Sequence, residues 1–354
     1  MTVFPKPLVI PIFIPNRGCP HQCLFCNQHA VTGSATKIPD HGDIRSTVEQ
    51  YLGYKKPGRS HAEISFYGGN FLGLSIQQTG RLLTAVLPFV VSGDVAGLRF
   101  STRPDTIDKV RLDRIRDYPV TIVELGVQST NDNVLAASER GHTAGDTLEA
   151  VALLRRRGYR IGLQMMIGLP GDTPAASLAT ARDIVGLAPD FVRIYPTLVL
   201  AGSPLADIYK QRRYTPLSME SCVSQLKTLY RLFTAHGIPV IRMGLQASSE
   251  LGDPSVVLAG PYHPALGHIV LSDIMLDAAG QALAEKKAHG KDAVFTVHPV
   301  NYSRLQGLGK QNLDKLKERF ALGRVHVRTD AGMPEDMVRV SCFQPADGLR
   351  VRRL

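Results

Sequence analysis

The chain has no tryptophan and only five cysteines in 354 residues. Without tryptophan it has no indole platform for stacking bases. Five cysteines are too few to staple a secreted scaffold, and they suit a reducing compartment. Long apolar runs are missing too. Nothing approaches the roughly 20 residues needed to span a bilayer. The run Leu8–Ile14 is short, β-branched and interrupted by Pro11, so it reads as a strand. The amino terminus lacks the charged-then-apolar layout of a signal peptide. Together these absences predict a cytoplasmic protein with no membrane partner. An acidic excess is also lacking. Lys plus Arg number 41 against 31 Asp plus Glu, giving a formal net charge of +10. That balance favours a polyanionic partner such as nucleic acid. The length suggests about two domains, or one large domain with an extension.

Three of the five cysteines stand together, in Arg17-Gly18-Cys19-Pro20-His21-Gln22-Cys23-Leu24-Phe25-Cys26-Asn27. The pattern is Cys-x3-Cys-x2-Cys. Three thiolates can hold three irons of a four-iron cluster and leave the fourth open to a small molecule. Buried structural cysteines fit poorly on a loop rich in Pro, Gly and His. A structural zinc site would use four ligands in two-by-two spacing, with His21 or His29 as the fourth. Cys222 and Cys342 lie far apart in sequence and make no second cluster.

Short β-branched runs alternate with amphipathic stretches over the first two thirds of the chain. The strands expected are Leu8–Ile14, Ala62–Tyr67, Gly97–Thr102, Val120–Val127, Tyr159–Ile167, Asp190–Tyr195 and Ile238–Met243. The helices expected are Asp43–Tyr54, Ser75–Phe89, Thr106–Asp117, Ala144–Arg157, Pro174–Val185 and Ser218–His236. Such alternation implies parallel strands with helical crossovers, and ligand loops at the strands' carboxyl ends. The cysteine loop follows the first strand and so falls on that face. After about residue 245 the pattern changes, and a smaller α/β unit is expected. It would hold a helix from Leu266, a strand at Ala293–His298 and a basic helix at Gln311–Phe320.

Several polar motifs gather at the same strand ends. Phe66-Tyr67-Gly68-Gly69-Asn70-Phe71 closes the second strand, and adjacent glycines let backbone approach a ligand. Ser101-Thr102-Arg103-Pro104-Asp105 ends the third, and Glu124-Leu125-Gly126-Val127-Gln128-Ser129 the fourth. Arg140-Gly141-His142-Thr143 precedes a helix, and Gln164 lies in strand five before Gly168-Leu169-Pro170-Gly171-Asp172. Tyr67, Tyr195, Arg193, Arg242, Tyr262 and His263 are further candidates for a substrate cavity.

On these stretches the chain resembles the radical S-adenosylmethionine (SAM) enzymes, whose signature is the cysteine motif. Within them it is similar to the radical domain of the catalytic, third subunit of Elongator. The similarity rests on Phe66–Phe71, Thr102–Asp105, Val123–Ser129, Arg140–Thr143, Met165–Gly171 and Ile194–Leu200, and on Gly307 to Asn312. It implies an α/β fold, a partial (β/α)6 TIM-like barrel over 1–245 with a C-terminal α/β extension over 246–354. It implies that Cys19, Cys23 and Cys26 are catalytic and ligate a [4Fe–4S] cluster, and that SAM is chelated at the open iron. Reductive cleavage of SAM would then give a 5′-deoxyadenosyl radical that abstracts hydrogen from the substrate. The same resemblance places Phe25 near the adenine and Gly68, Gly69 and Asn70 near the methionine amino group. Ser101, Gln128, Arg140 and Gln164 occupy positions where related enzymes contact the ribose or carboxylate, and a guanidinium matches a carboxylate fork. The implied partners are tRNA and an electron donor of flavodoxin or ferredoxin type.

The chain departs from Elongator's pattern in its three-residue gap between the first two cysteines, in Asn70 and in Ser101. No acetyltransferase domain follows before Leu354, so an acetyl-CoA route to a carboxymethyl group cannot be assumed. Two other functions fit some of the same residues. One is an enzyme like oxygen-independent coproporphyrinogen oxidase, acting on a small molecule. The other is a non-catalytic cluster-binding protein.

Overall fold

The computed structural model describes residues 7–14, 18–27, 37–54, 61–246 and 250–344. His29 and Arg17, both named above, lie outside the described residues, as does the basic run Arg350–Arg353. The helices and strands follow in chain order. The strands are β1 (Leu8–Ile14), β2 (Ala62–Gly68), β3 (Gly97–Thr102), β4 (Val120–Gln128), β5 (Arg160–Ile167), β6 (Phe191–Pro196), β7 (Val199–Leu200), β8 (Val240–Met243), β9 (Val257–Ala259), β10 (Asp292–Val297), β11 (Val325–Thr329) and β12 (Val338–Phe343). Helices of more than one turn are α1 (His41–Gly53), α2 (Ile76–Val91), α3 (Lys109–Asp113), α4 (Asp132–Ala137), α5 (Ala144–Arg156), α6 (Pro174–Gly186), α7 (Pro204–Lys210), α8 (Met219–Ala235), α9 (Leu266–Glu285), α10 (Tyr302–Gln306) and α11 (Gln311–Phe320).

Seven strands form one sheet in the order β1-β2-β3-β4-β5-β6-β8. Every neighbouring pair in it is parallel. The sheet has one strand more than six βα units supply, because α8 makes a further crossover to β8. A parallel sheet is covered by its crossover helices, so its strands read as near-continuous apolar runs. In β1 the alternation remains visible: Leu8, Ile10, Ile12 and Ile14 are buried, and the residues between them are half-buried. The largest fully buried side chains include Phe66, Phe71 and Phe100. Phe71 stacks on Phe100 with ring centroids 4.5 Å apart. They join β2, the turn after it and β3.

Most helices begin where the sequence provides an oxygen acceptor. Asp40, Ser75 and Thr143 each close a capping box at the start of α1, α2 and α5. Such a box satisfies amide donors that the first helical turn leaves open. Thr173 and Ser218 cap α6 and α8. The third expected helix, Thr106–Asp117, is much shorter than its pattern suggested. A 3-10 turn occupies Pro104–Thr106, and Asp108 then caps α3, which ends at Asp113.

The chain divides into two compact units. The first comprises Met1–Cys222 with Thr228–Pro264, and the second Val223–Lys227 with Ala265–Leu354. Residues 246–264, assigned above to the extension, fall in the first unit. The reason is local: β9 pairs antiparallel with β7. Tyr262 packs there against Leu198, Leu200 and Leu251. In the second unit β10 is central, parallel to β11 and antiparallel to β12. Its core is built from Leu283, Phe295, Leu305, Leu316 and Val340. Lys227 bridges Asp273 and Asp277 within this unit. Among the described residues, no helix is long and apolar enough to cross a membrane.

Candidate cofactor pocket at the cysteine loop

The loop after β1 is fixed to the barrel by backbone and side-chain bonds on several sides. Asn70 Nδ2 donates to Gly18 O at 2.7 Å. Leu24 N donates to Ser138 O, and Leu205 N donates to Leu24 O. Gly18 lies at φ +80°, a region that favours glycine, with its missing Cβ aimed at Asn70 O. A Cβ on Gly73 would sit 2.0 Å from Gly18 O. Only two glycines allow the turn after β2 and the cysteine loop to pack this closely.

Asn70 is fully committed to this junction. Its Oδ1 accepts from Thr102 Oγ1 at 2.6 Å, Thr106 Oγ1 at 3.0 Å and Arg103 N at 3.1 Å. The resemblance put Asn70 against an amino group of the cofactor. Its bonds tie β2, β3 and the cysteine loop together, and the residue also lines the pocket.

A cavity of about 140 Å³ lies against this loop. Its walls include Cys19, Cys23, Cys26 and Phe25 from the loop, and Gly68, Gly69 and Asn70 after β2. They also include Ser101, Gln128, Arg140 and Gln164. The cysteines and the cofactor-binding residues expected from the resemblance therefore border one space, whereas Tyr67, Tyr195, Arg193, Arg242, Tyr262 and His263 do not line it. A groove of about 610 Å³ lies elsewhere, between α1 and α2, lined by residues such as Lys37, His41 and Arg81. It adjoins residues outside the described set and holds no cysteine.

Two buried arginines meet Cys23. Arg140 Nη1 is 3.4 Å from Cys23 Sγ, and Arg103 Nη1 is 3.9 Å from it. Arg103 is gripped by Asp105 through two parallel bonds of 2.9 and 3.0 Å. It also donates to Arg140 O at 2.6 Å. Arg140 Nη2 donates to Gly126 O at 2.7 Å, and a Cβ on Gly126 would come within 3.0 Å of that nitrogen. The sequence reading missed Arg103 and Asp105 as site residues. Their spacing, two apart around a proline, was the available signal. Burial raises the Cys19 thiol above its ordinary range, and Arg140 and Arg103 partly oppose the rise. Fixed positive charge here favours thiolates over thiols.

Gln128 sits at φ +68°, left-handed for a residue that is not glycine. The β4–β5 register slips at this point, where Gly126 pairs with Gln164 but Gln128 with Met165. Such bulges re-aim a side chain beside a site. Gln128 Oε1 is buried with no hydrogen-bond partner among the described residues, and so is Arg140 Nε. The residues that carry this unmet acceptor and donor both line the cavity. That combination fits a ligand carrying both ammonium and carboxylate groups. Gln164 Nε2 donates to Ser101 Oγ at 3.2 Å and to Glu124 Oε2 at 3.1 Å. Phe25 also packs against an apolar cluster that includes Leu24, Val199 and Leu205.

Among the described residues, no three His, Cys, Asp or Glu side chains converge on a point that one metal ion could occupy. Cys222 is fully buried in α8, where burial pushes its thiol up to about 12. Cys342 lies in β12 of the second unit.

His142, two residues past Arg140, is buried and unused by the pocket wall. Its Nε2 lies 3.2 Å from Val127 O, so that nitrogen carries the proton. Burial, and then the nearby Arg140 and Arg103, depress its pKa to about 3. The folded chain therefore resists protonation that the unfolded chain accepts near pH 6.5. Stability is expected to fall as pH drops from about 6.5 towards 3. In His142→Gln the difference between urea midpoints at pH 7 and pH 5 should shrink. An unchanged difference would show that His142 does not set this slope.

The chain matches the Radical SAM superfamily over residues 13–184 and the Radical_SAM C-terminal domain over residues 189–275. It is 30% identical over 246 residues to a protein of Dehalococcoides mccartyi named tRNA uridine(34) acetyltransferase. That match covers 60% of this chain and 54% of the relative, so the chain spans about half of that protein's length. It is 30% identical over 181 residues to Elongator complex protein 3 of Saccharomyces cerevisiae, covering 49% of this chain and 30% of that one. Among solved structures, the archaeal Methanocaldococcus infernus Elp3 with an N-terminal deletion of residues 1–46 superposes with a TM-score of 0.59. The identity is 20%, with 84% of this chain and 67% of that chain covered, and the likeness is one of fold. The two family matches run in succession from the cysteine strand through the barrel and into α9, and the chain belongs to the radical SAM superfamily.

Proposed function

We propose that Cys19, Cys23 and Cys26 hold a [4Fe–4S] cluster, that SAM occupies the adjoining cavity, and that the chain modifies tRNA. The observation that carries this reading is the pairing of three cysteines with two unmet polar atoms, Arg140 Nε and Gln128 Oε1, around one cavity. When bound, the cluster would supply the electron that cleaves SAM and releases a hydrogen-abstracting radical. The chain's own residues bind and orient. The Arg140 guanidinium offers its free Nε to the SAM carboxylate while its other nitrogens hold Cys23 and Gly126. Gln128 Oε1 accepts from the SAM ammonium. Gly68 and Gly69 leave room for backbone contact beside it. Ser101 and Gln164, already bonded to each other, face the ribose as a pair. Phe25 covers the adenine from the loop side.

The tRNA substrate is supported by the names of the relatives above and by the net charge of +10. Part of the basic sequence has other work. Arg155 donates to Leu187 O and Ala188 O, and Arg157 pairs with Asp113. Lys315, Lys317 and Arg319 are exposed on α11. An electron donor of flavodoxin or ferredoxin type completes the proposal. Cells with and without this protein should differ in one modified tRNA nucleoside when tRNA digests are compared by mass spectrometry. Identical nucleoside profiles would sink the tRNA assignment.

A further inference from the structure

The inward face of the barrel carries a ladder of buried charge that the cysteine pocket does not use. Arg99 of β3 bonds Glu63 Oε2 at 3.0 Å and Glu124 Oε1 at 2.9 Å. Glu124 of β4 is fully buried and also holds Arg193 of β6, whose Nε lies 2.8 Å from Glu124 Oε2. That N–H points off the line to the oxygen, so the contact is an ion pair and not an aligned hydrogen bond. Arg193 Nη2 donates to Tyr67 OH at 2.6 Å, and the guanidinium lies over the Tyr67 ring at 5.0 Å. From β2 to β6 the charges alternate and each arginine has a carboxylate.

The alternation breaks at the next strand. Arg242 of β8 is the register partner of Arg193. Register partners in a parallel pair point to the same face, with their backbones about 4.8 Å apart. Arg242 is half-buried, and no carboxylate among the described residues pairs with it. Both glutamates of the ladder are already engaged by Arg99 and Arg193. Three arginines on this face therefore share two carboxylates, and two of them, Arg193 and Arg242, are register partners on neighbouring strands. Like charges directly opposite on neighbouring strands are unfavourable unless an anion lies between or beside them. Tyr195, two residues after Arg193, accepts from Arg193 Nη1 at 3.4 Å, which leaves its own hydroxyl proton free to donate.

The position of this unmatched charge is informative. Gly126, Gln164, Arg193 and Arg242 form one continuous register across β4, β5, β6 and β8. Gly126 and Gln164 line the cysteine pocket. Arg242 thus lies two strands from the pocket wall, roughly 10 Å along the register. It also lies on β8, the last strand of the sheet.

We infer that Arg242, backed by Arg193 and Tyr195, holds an oxyanion of the substrate, a phosphate or carboxylate, at the edge of the barrel beside the cysteine pocket. This rests on reading that pocket as the reactive site. The arrangement suits the planar fork of arginine, which bonds two oxygens of one oxyanion at once. It would anchor the substrate at one end and leave the other end free to reach the reacting group.

The test uses the full-length protein without cluster or SAM, so it stands apart from the radical reading. Thermal transitions are measured at matched ionic strength in chloride, inorganic phosphate, uridine 5′-monophosphate and uridine. The wild-type transition should rise with phosphate and with the monophosphate, but not with uridine. Arg242→Gln should need about tenfold more of either anion for the same rise, the loss expected for one charge-assisted contact. Arg242→Lys should keep part of the effect. Without anion, Arg242→Gln should melt no lower than wild type, because it relieves a like-charge pair. Tighter protection by the monophosphate than by phosphate assigns the anion to a nucleotide, and equal protection assigns it to a free oxyanion. The inference is overturned if Arg242→Gln responds like wild type, if uridine protects as well as its phosphate, or if the variant is destabilised without anion. Failure to cleave SAM would sink the reading of the pocket and leave this measurement untouched.

Discussion

Cys23→Ala is expected to yield a folded protein that assembles no iron–sulfur cluster and cleaves no SAM above background after anaerobic reconstitution. Among the three loop cysteines it is the buried one, 4% exposed, and the one both arginines address. The Cys23 sulfur is a weak hydrogen-bond partner. Its loss as such should cost the fold only about 1 kcal/mol, a typical single-substitution effect. The cluster would lose one of three ligands, and two guanidiniums would then face an empty corner. Cys222→Ala supplies the control. That thiol is fully buried on a helix, and nothing places it near the pocket. Iron and sulfide content, visible absorbance and 5′-deoxyadenosine formation should be retained there. Cluster retention in Cys23→Ala, or its loss in Cys222→Ala, would contradict the ligand assignment.

The largest effect on stability is expected from Glu124→Ala. Glu124 is 0% exposed and holds Arg99 and Arg193 while accepting from Gln164 and Tyr67. Arg99 would keep Glu63. Arg193 would keep no carboxylate and would sit beside Arg242 in register. Removing one partner of a buried ion pair costs about 3–5 kcal/mol, because the remaining charge is stranded. Glu124→Gln, which keeps the shape and an acceptor, should lose less. Urea unfolding followed by circular dichroism separates the three proteins. A Glu124→Ala loss below about 1 kcal/mol would mean that water enters and solvates the arginines.

The barrel was legible in the sequence because a parallel sheet covered by helices writes itself as short β-branched runs at regular intervals. All seven expected strands of the sheet lie within two residues of those observed. Short elements were not legible. Helices α4 and α7 have six and seven residues, too few for a helical period to show. The two-residue β7 is defined only by its partner β9, which lies more than fifty residues downstream. At the site, residue types and strand ends were enough to gather the pocket wall. Commitments between distant residues were not visible. The bonds that fix Asn70 in place were not legible, because Gly18 and Thr102 lie 52 and 32 residues away. Nothing local announced the left-handed turn at Gln128, since it arises from a register slip between two strands. Arg103 stood only in a polar motif at a strand end, and the folded chain alone brings it to a cysteine 80 residues earlier.

The close approach of Gly18 to Gly73, with Asn70 bonded across it, has a consequence for the life of the protein. The segment bearing the cysteines is docked by contacts that involve no iron. On the proposed reading, folding and cluster loading would be separate events, with the loop held in place by packing before any iron arrives. Small zinc modules that collapse around their ion lack that freedom.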